Sequence, residues 1–128
     1  LPISAFVSTD LGAEGDPTLT YAGAAGFKND QVTAWAEYVG SSDGSTSGSG
    51  YSATVIPNIP KVGALVLRYD HWDGDTGTED DATTTWVAGL EHDFYKRVSA
   101  ALLYENTTAE ATPDALAHGV YVRMQAGF

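Results

Sequence analysis

The sequence predicts an all-β fold: an eight-stranded antiparallel up-and-down transmembrane β-barrel, built by a single domain over residues 1–128. Three observations predict it. Apolar and polar residues alternate with period two along most of the chain, and clusters of Gly, Asp, Ser and Pro interrupt the alternation, as strands and turns require. Several alternating stretches exceed the ~5 to 6 residues of a soluble strand and match the ~9 to 11 of a tilted strand crossing a bilayer. Charged residues gather on one parity of these stretches, while the aromatic residues of the other parity lie near strand ends, the placement of an aromatic girdle.

The eight stretches are residues 3–11, 18–28, 31–40, 51–57, 62–72, 82–94, 97–106 and 118–128. The second carries the small residues Ala22, Ala24 and Gly26 on its polar parity, which suits a crowded interior better than a solvated face. The third sets Val32, Ala34, Ala36 and Tyr38 against Thr33, Trp35, Glu37 and Val39. The fourth ends at Pro57, which with Pro60 flanks a turn and limits pairing there. The fifth sets Gly63, Leu65, Leu67 and Tyr69 against Ala64, Val66, Arg68 and Asp70. In the sixth, Trp86, Ala88, Leu90, His92 and Phe94 oppose Thr85, Val87, Gly89, Glu91 and Asp93; in the seventh, Val98, Ala100, Leu102 and Tyr104 oppose Ser99, Ala101, Leu103 and Glu105. The last sets Val120, Val122, Met124, Ala126 and Phe128 against Gly119, Tyr121, Arg123, Gln125 and Gly127, and Phe128 is expected in the lipid interface.

Tight connections at 28–30, 58–61 and 95–96 alternate with long polar ones at 12–17, 41–50, 73–81 and 107–117. Short turns on one rim and long loops on the other are what an outer-membrane barrel presents. Closure is expected too, because lipid offers backbone groups no partner and only a closed strand architecture pairs them all, so the first and last strands should meet.

Seventeen Asp and Glu against six Lys and Arg leave a formal charge of −11, which argues against nucleic acid as a partner, since such binding runs on Lys and Arg neutralising phosphates. Cysteine is absent, so thiolate metal sites and disulfides are excluded. No apolar run approaches the ~20 residues of a membrane-crossing helix. The first residue is Leu and no basic segment with an apolar run follows, so any secretory signal is taken as removed or never present.

The run Leu67-Arg68-Tyr69-Asp70-His71-Trp72-Asp73, the acidic loop through Asp80 and Asp81, the strand from Trp86 through Gly89 and Glu91 to Phe94, and residues 98–105 resemble the C-terminal strands of Gram-negative outer-membrane porins, particularly the phosphate-selective type. The likeness runs from about Val62 to the end. The terminal Val-Tyr-Val-Arg-Met-Gln-Ala-Gly-Phe resembles the signal by which the barrel-assembly machinery recognises its clients. The resemblance implies a bacterial outer-membrane location, membrane lipid around the chain, and that machinery as a partner through the strand ending in Phe128. Porins of that type have about 16 strands around an aqueous channel, whereas eight close on an interior just wide enough for side chains. The expectation is a small passive channel for ions or small solutes, or a fragment of one.

The lumen-lining residues expected from parity are Glu37, Arg68, Asp70, Glu91, Asp93, Glu105 and Arg123, with Lys28 near the short-turn rim. Two readings of them stay open. Charges in a narrow barrel are costly unless paired, so Arg68 and Arg123 could each hold two carboxylates and plug the interior, giving a closed structural barrel without conductance. Alternatively the same guanidinium groups set the selectivity of a pore, where five carboxylates against two arginines favour cations. A soluble barrel holding a small apolar ligand is the third reading. The loop 73–81 lacks a complete calcium-loop pattern: Asp73, Asp75 and Glu79 are weak metal candidates, and a solvated acidic loop is the plainer reading. No cofactor is implied. His71, His92 and His118 lack metal-ligand spacing, no Gly-x-Ser-x-Gly elbow occurs, and Asp70 and His71, adjacent on a strand, point to opposite faces. The chain is not expected to be an enzyme.

Overall fold

The computed structural model describes the backbone of residues 3–11, 17–95 and 98–126, and the side chains of 18–94, 98–111 and 117–126. Alternation becomes eight strands: β1 (Ile3–Leu11), β2 (Pro17–Lys28), β3 (Val32–Ser42), β4 (Ser47–Ile59), β5 (Gly63–Asp73), β6 (Thr83–Tyr95), β7 (Val98–Ala109) and β8 (Thr112–Ala126). They form one sheet in chain order, through seven antiparallel pairings of neighbours.

Two of the long connections expected from the sequence shrink to turns. β3 and β4 continue pairing out to Ser42 and Ser47, leaving residues 43–46, and β7 and β8 continue to Ala109 and Thr112, leaving 110–111. The segments added to β3 and β4 are Ser and Gly rich and the one added to β7 is Thr rich, so these ladders form without the apolar alternation that marks a strand. Within the 43–46 turn, Asp43 Oδ1 accepts from the Ser45 amide at 3.0 Å, the Ser45 hydroxyl at 2.9 Å and the Thr46 amide at 2.7 Å. These bonds, the Thr46 amide foremost, hold the Asp43 carboxyl below its usual range. The 74–82 loop stays long, and its Thr76 amide reaches Ser47 O at 2.7 Å. Residues 12–16 lie outside the described residues, as do Arg97, Gly127 and the expected interfacial Phe128.

Pro57 marks a gap: it pairs with Val32 across β3–β4, but the β4–β5 register passes from Val55↔Leu67 to Asn58↔Ala64 without it. A residue without an N–H interrupts the ladder on that side.

The sheet is not closed, which corrects the expected barrel. Among the described residues β1 pairs with β2 alone and β8 with β7 alone. Closing eight strands requires the sheet to curl until side chains fill the interior. The curl stops short of that, since Arg68 and Arg123 keep 50% and 57% of their side chains exposed.

A buried core is nearly absent. Ala82, Ala101 and Thr54 are the buried core residues and buried polar residue among those described, and the accessible surface is 9032 Å². A globular chain of this mass exposes about 6,500 Å². The excess follows from a single layer: among the described residues no second sheet or helix lies against either face.

Candidate functional site

Register sorts the two faces of the sheet by polarity. Across β2 to β8, one face runs through the pairs Glu37↔Ser52, Ser52↔Asp70, Asp70↔Thr85 and Thr85↔Thr107, and through Ala64↔Glu91, Glu91↔Ala101 and Ala101↔Arg123. The other runs through Val55↔Leu67, Leu67↔Ala88 and Ala88↔Tyr104, and through Leu65↔Leu90, Leu90↔Leu102 and Leu102↔Val122. All seven residues expected to line a lumen, Glu37, Arg68, Asp70, Glu91, Asp93, Glu105 and Arg123, fall on the first face.

That face is the concave one. Lys28 and Thr33 from β2 and β3 line a hollow of about 360 Å³ together with Ala64 of β5 and Glu91 and Asp93 of β6, residues that only a curled sheet brings around one space. A second hollow of about 340 Å³ lies nearer the 74–82 loop, between Glu37, Val39, Ser52, Arg68, Asp70 and Trp72. The result is a polar trough along the strands.

Polar side chains in the trough satisfy one another locally. Arg68 Nε donates to both oxygens of Asp70, at 2.9 and 2.8 Å, two positions along the same strand. Arg123 Nη2 reaches across β7 to Glu91 Oε2 at 2.9 Å, passing over Ala101, the register partner of both. Ala101 is only 3% exposed because this bridge covers it, and a small residue is needed there. Ser52 donates to Glu37 Oε2 at 3.1 Å, and the Thr85 and Thr107 hydroxyls share a 2.9 Å bond.

Among the described residues, Arg68 and Arg123 therefore each pair with one carboxylate where the plug reading expects two. Neither pair is enclosed. A half-exposed ion pair contributes under about 1 kcal/mol, so Arg68→Ala is expected to lower unfolding stability by less than that, read from urea titration of the folded protein. The several kcal/mol expected of an enclosed pair does not apply to this open geometry.

Among the described residues two buried side-chain oxygens lack a partner, the Thr54 hydroxyl and Asp73 Oδ1, and Thr54 is the one inside the trough. It sits in register between Trp35 and Arg68, is 3% exposed, and its hydroxyl has no partner. A buried, unpaired hydroxyl is a net loss. Thr54→Val keeps the shape and is expected to raise stability by roughly 1 kcal/mol, seen as a higher urea midpoint at unchanged slope.

The sequence left unread the aromatic residues of the polar parity. Trp72 lies over Gly50, its register partner, and the Tyr121 ring lies over Gly119 on its own strand, each filling the space a Cβ would take. The convex face does the same with Tyr21 over Gly40. Glycine opposite a large aromatic one strand over is the signal that register turns into a contact.

Asp73, Asp75 and Glu79 are not brought together. Asp75 is occupied by its own turn, accepting from the Gly77 amide at 3.0 Å and the Thr78 hydroxyl at 2.8 Å, while the acidic neighbours of Asp73 are Asp81 and Glu110. Among the described residues no group of three or more side chains is placed to hold a metal ion. Asp70 and His71 also part: Asp70 holds Arg68 in the trough, whereas His71 stacks on Tyr51 at 5.0 Å on the convex face and bonds Thr84 at 3.1 Å.

The convex face is apolar and uncovered. Leu67, Leu90, Leu102, Val120, Val122 and Met124 are all exposed, the last two by more than 70%. Aromatic rings frame this aliphatic field at two levels. On the side of the 43–46 turn, Tyr21 meets Tyr38 at 6.1 Å, Tyr51 meets Tyr69 at 5.9 Å, and Tyr69 meets Trp86 edge-on at 4.4 Å. Toward the opposite rim, His92 meets Phe94 at 5.0 Å, and Phe27 is exposed. No family model matches the chain, and neither the curated proteins nor the solved structures contain a match to it.

Proposed function

We propose that this chain forms a curved β-wall in a bacterial outer membrane, its convex face in lipid and its trough a passive route for ions or small solutes, in the manner of the porins its C-terminal strands resemble. The observation that carries this is the inverted polarity. Large apolar side chains are exposed on the convex face, charged ones are collected on the concave face, and among the described residues no dry core joins either. In water such an apolar expanse would be a strong aggregation hazard; in a bilayer it is the face that belongs outside.

The aromatic levels add to this. From Trp86 to Phe94 is eight residues along β6, roughly 26 Å of strand at ~3.3 Å per residue and about 20 Å of height at a tilt of ~40°, within the apolar band of about 25 Å in an outer-membrane barrel. Tyr and Trp favour the membrane interface because one end of the ring system is apolar and the other wet. Lipid and, through the C-terminal strand, the barrel-assembly machinery are the partners in this reading.

The trough carries the transport half of the proposal. Its ion pairs are open to solvent, and a water-filled wall lined by Glu37, Glu105, Asp93 and the two bridges lets hydrated ions pass without stripping them. Stepwise currents after reconstitution into planar bilayers are the expected result. Vesicle-bound protein that stays electrically silent would leave a structural membrane sheet, and protein that remains monomeric in buffer without detergent would favour a soluble ligand carrier instead.

A further inference from the structure

We propose that the hollow between Trp72, Glu37 and the Arg68–Asp70 bridge is a binding site for small organic cations, alkylammonium ions of about the size of choline. This names a class of solute for the trough. It rests on the transport reading above only for passage of the solute along the strands; the binding itself is a property of the hollow.

Three observations lead to it. First, an indole stands in the polar trough with nothing in its chemistry that requires water. Trp72 pairs with Gly50, and a Cβ on that glycine would meet Cε3 of the ring and, at 3.2 Å, Cζ3. Gly50 is buried while Trp72 stays 43% exposed, so the ring is seated on β4 backbone and offers the rest of its surface to the hollow of about 340 Å³. Of the aromatic side chains, Trp attracts a cation to its face most strongly.

Second, the charge of the hollow is negative. Glu37, Asp70 and Arg68 line it, two carboxylates against one guanidinium. Arg68 is already answered, its Nε donating to both oxygens of Asp70 at 2.9 and 2.8 Å. Glu37 is not: its Oε2 accepts from the neutral Ser52 hydroxyl at 3.1 Å, and among the described residues it forms no ion pair. An anion is repelled here and a cation drawn in.

Third, the indole and the unanswered carboxylate are one ligand apart. Glu37, Ser52 and Asp70 form one row of the register; Val39, Gly50 and Trp72 form the next row on the same face, two residues or roughly 7 Å along the strands. A cation within ~6 Å of the ring centroid is therefore also beside Glu37, and its alkyl groups meet the indole and Val39. A small hydrated metal ion gains nothing from those apolar walls. A neutral sugar gains nothing from the charge, and it finds Arg68 and Asp70 occupied with each other.

Choline is the probe. Saturation-transfer NMR of its trimethylammonium signal measures binding to protein folded in micelles of a non-ionic polyoxyethylene detergent, at constant ionic strength, with folding of each variant checked by circular dichroism. Saturable binding is expected, weakened about fivefold or more by Trp72→Leu and about fivefold by Glu37→Gln. Asp93→Asn, in the other hollow, is expected to leave it unchanged. The uncharged carbon isostere 3,3-dimethyl-1-butanol is expected to bind several-fold more weakly than choline. Should Trp72→Leu misfold, Glu37→Gln and the isostere decide. Equal binding of choline and the isostere, or equal losses from Glu37→Gln and Asp93→Asn, would overturn the proposal, because the first needs no charge and the second needs no site. Methyl glucoside bound in place of choline would overturn the class of ligand. Phosphocholine displacing choline as well as choline itself does would assign the hollow to lipid headgroups and overturn the solute. Folded protein in micelles that binds no choline removes this site and leaves the membrane reading standing, whereas binding by protein that stays monomeric in buffer without detergent keeps the site and removes the membrane reading.

Discussion

Leu102→Arg is expected to destabilise the lipid-folded protein by about 2–4 kcal/mol, the cost of a cation on the lipid face of a barrel strand at the bilayer midplane. The position is chosen by register. Leu102 pairs with Leu90, and Leu90 stands midway along β6 between Trp86 and Phe94, the two aromatic levels. It also pairs with Val122 on the other side, and it is 56% exposed. In water a substitution at so exposed a site costs no more than about 0.5 kcal/mol. The same change therefore reads out the solvent of the convex face. Ser99→Arg is the control: Ser99 pairs with Asp93 on the concave face, where a cation meets a carboxylate and water, and little change is expected. Urea unfolding in vesicles, followed by tryptophan fluorescence, measures both. Equal, small effects from the two arginines would place the convex face in water and remove the membrane reading.

Strand number and facing were legible because the code for them is local. Period two decides which side chains share a face, so Arg68 and Arg123 could be placed with Glu37, Glu91 and Glu105 from parity alone, and the register sets all of them on the concave side. Strand ends were less legible. Ser41, Ser42, Ser47 and Gly48 pair without apolar alternation, since hydrogen bonding in a ladder asks only for backbone, and the sequence read them as loop.

Closure and ion pairing were not legible, for a different reason. Whether β1 reaches β8 depends on the summed twist and curl of seven strand junctions, a quantity no single stretch of sequence carries. Pairing of charges depends on it in turn. The tight curl of a closed barrel would have given each arginine several carboxylates; in the open sheet Arg68 finds the acid two positions along its own strand and Arg123 the one two strands away. The first pairing is visible in the sequence as an Arg-x-Asp on one parity. The second needs the register, with Ala101 as the small residue that lets the bridge pass.

Gly63→Ala is expected to cost about 3 kcal/mol or more, from backbone strain of about 1–3 kcal/mol and overpacking of about 1–3 kcal/mol acting at one position. Gly63 opens β5 with φ at +132°, a conformation an L side chain rarely adopts. A Cβ there would also run into the Glu91 carbonyl oxygen, with the Glu91 carbonyl carbon 3.1 Å away and His92 Cα 3.3 Å away. The obstacle is β6 backbone, so it cannot rotate aside as a side chain would. Displacing Glu91 also disturbs the carboxylate that receives Arg123, and His92, whose Nδ1 donates to Val62 O at 2.7 Å across the same turn. Lys61 offers the contrasting case two residues earlier. Its φ of 69° lies in the left-handed region at no steric cost to a glycine, so Lys61→Gly is expected to leave stability unchanged or slightly raised. Urea titration of the two variants separates the explanations: a large loss at Gly63 with none at Lys61 locates the cost in the β5–β6 contact, whereas equal losses would mean that the turn itself, and not the packing of Gly63 against Glu91, limits the fold.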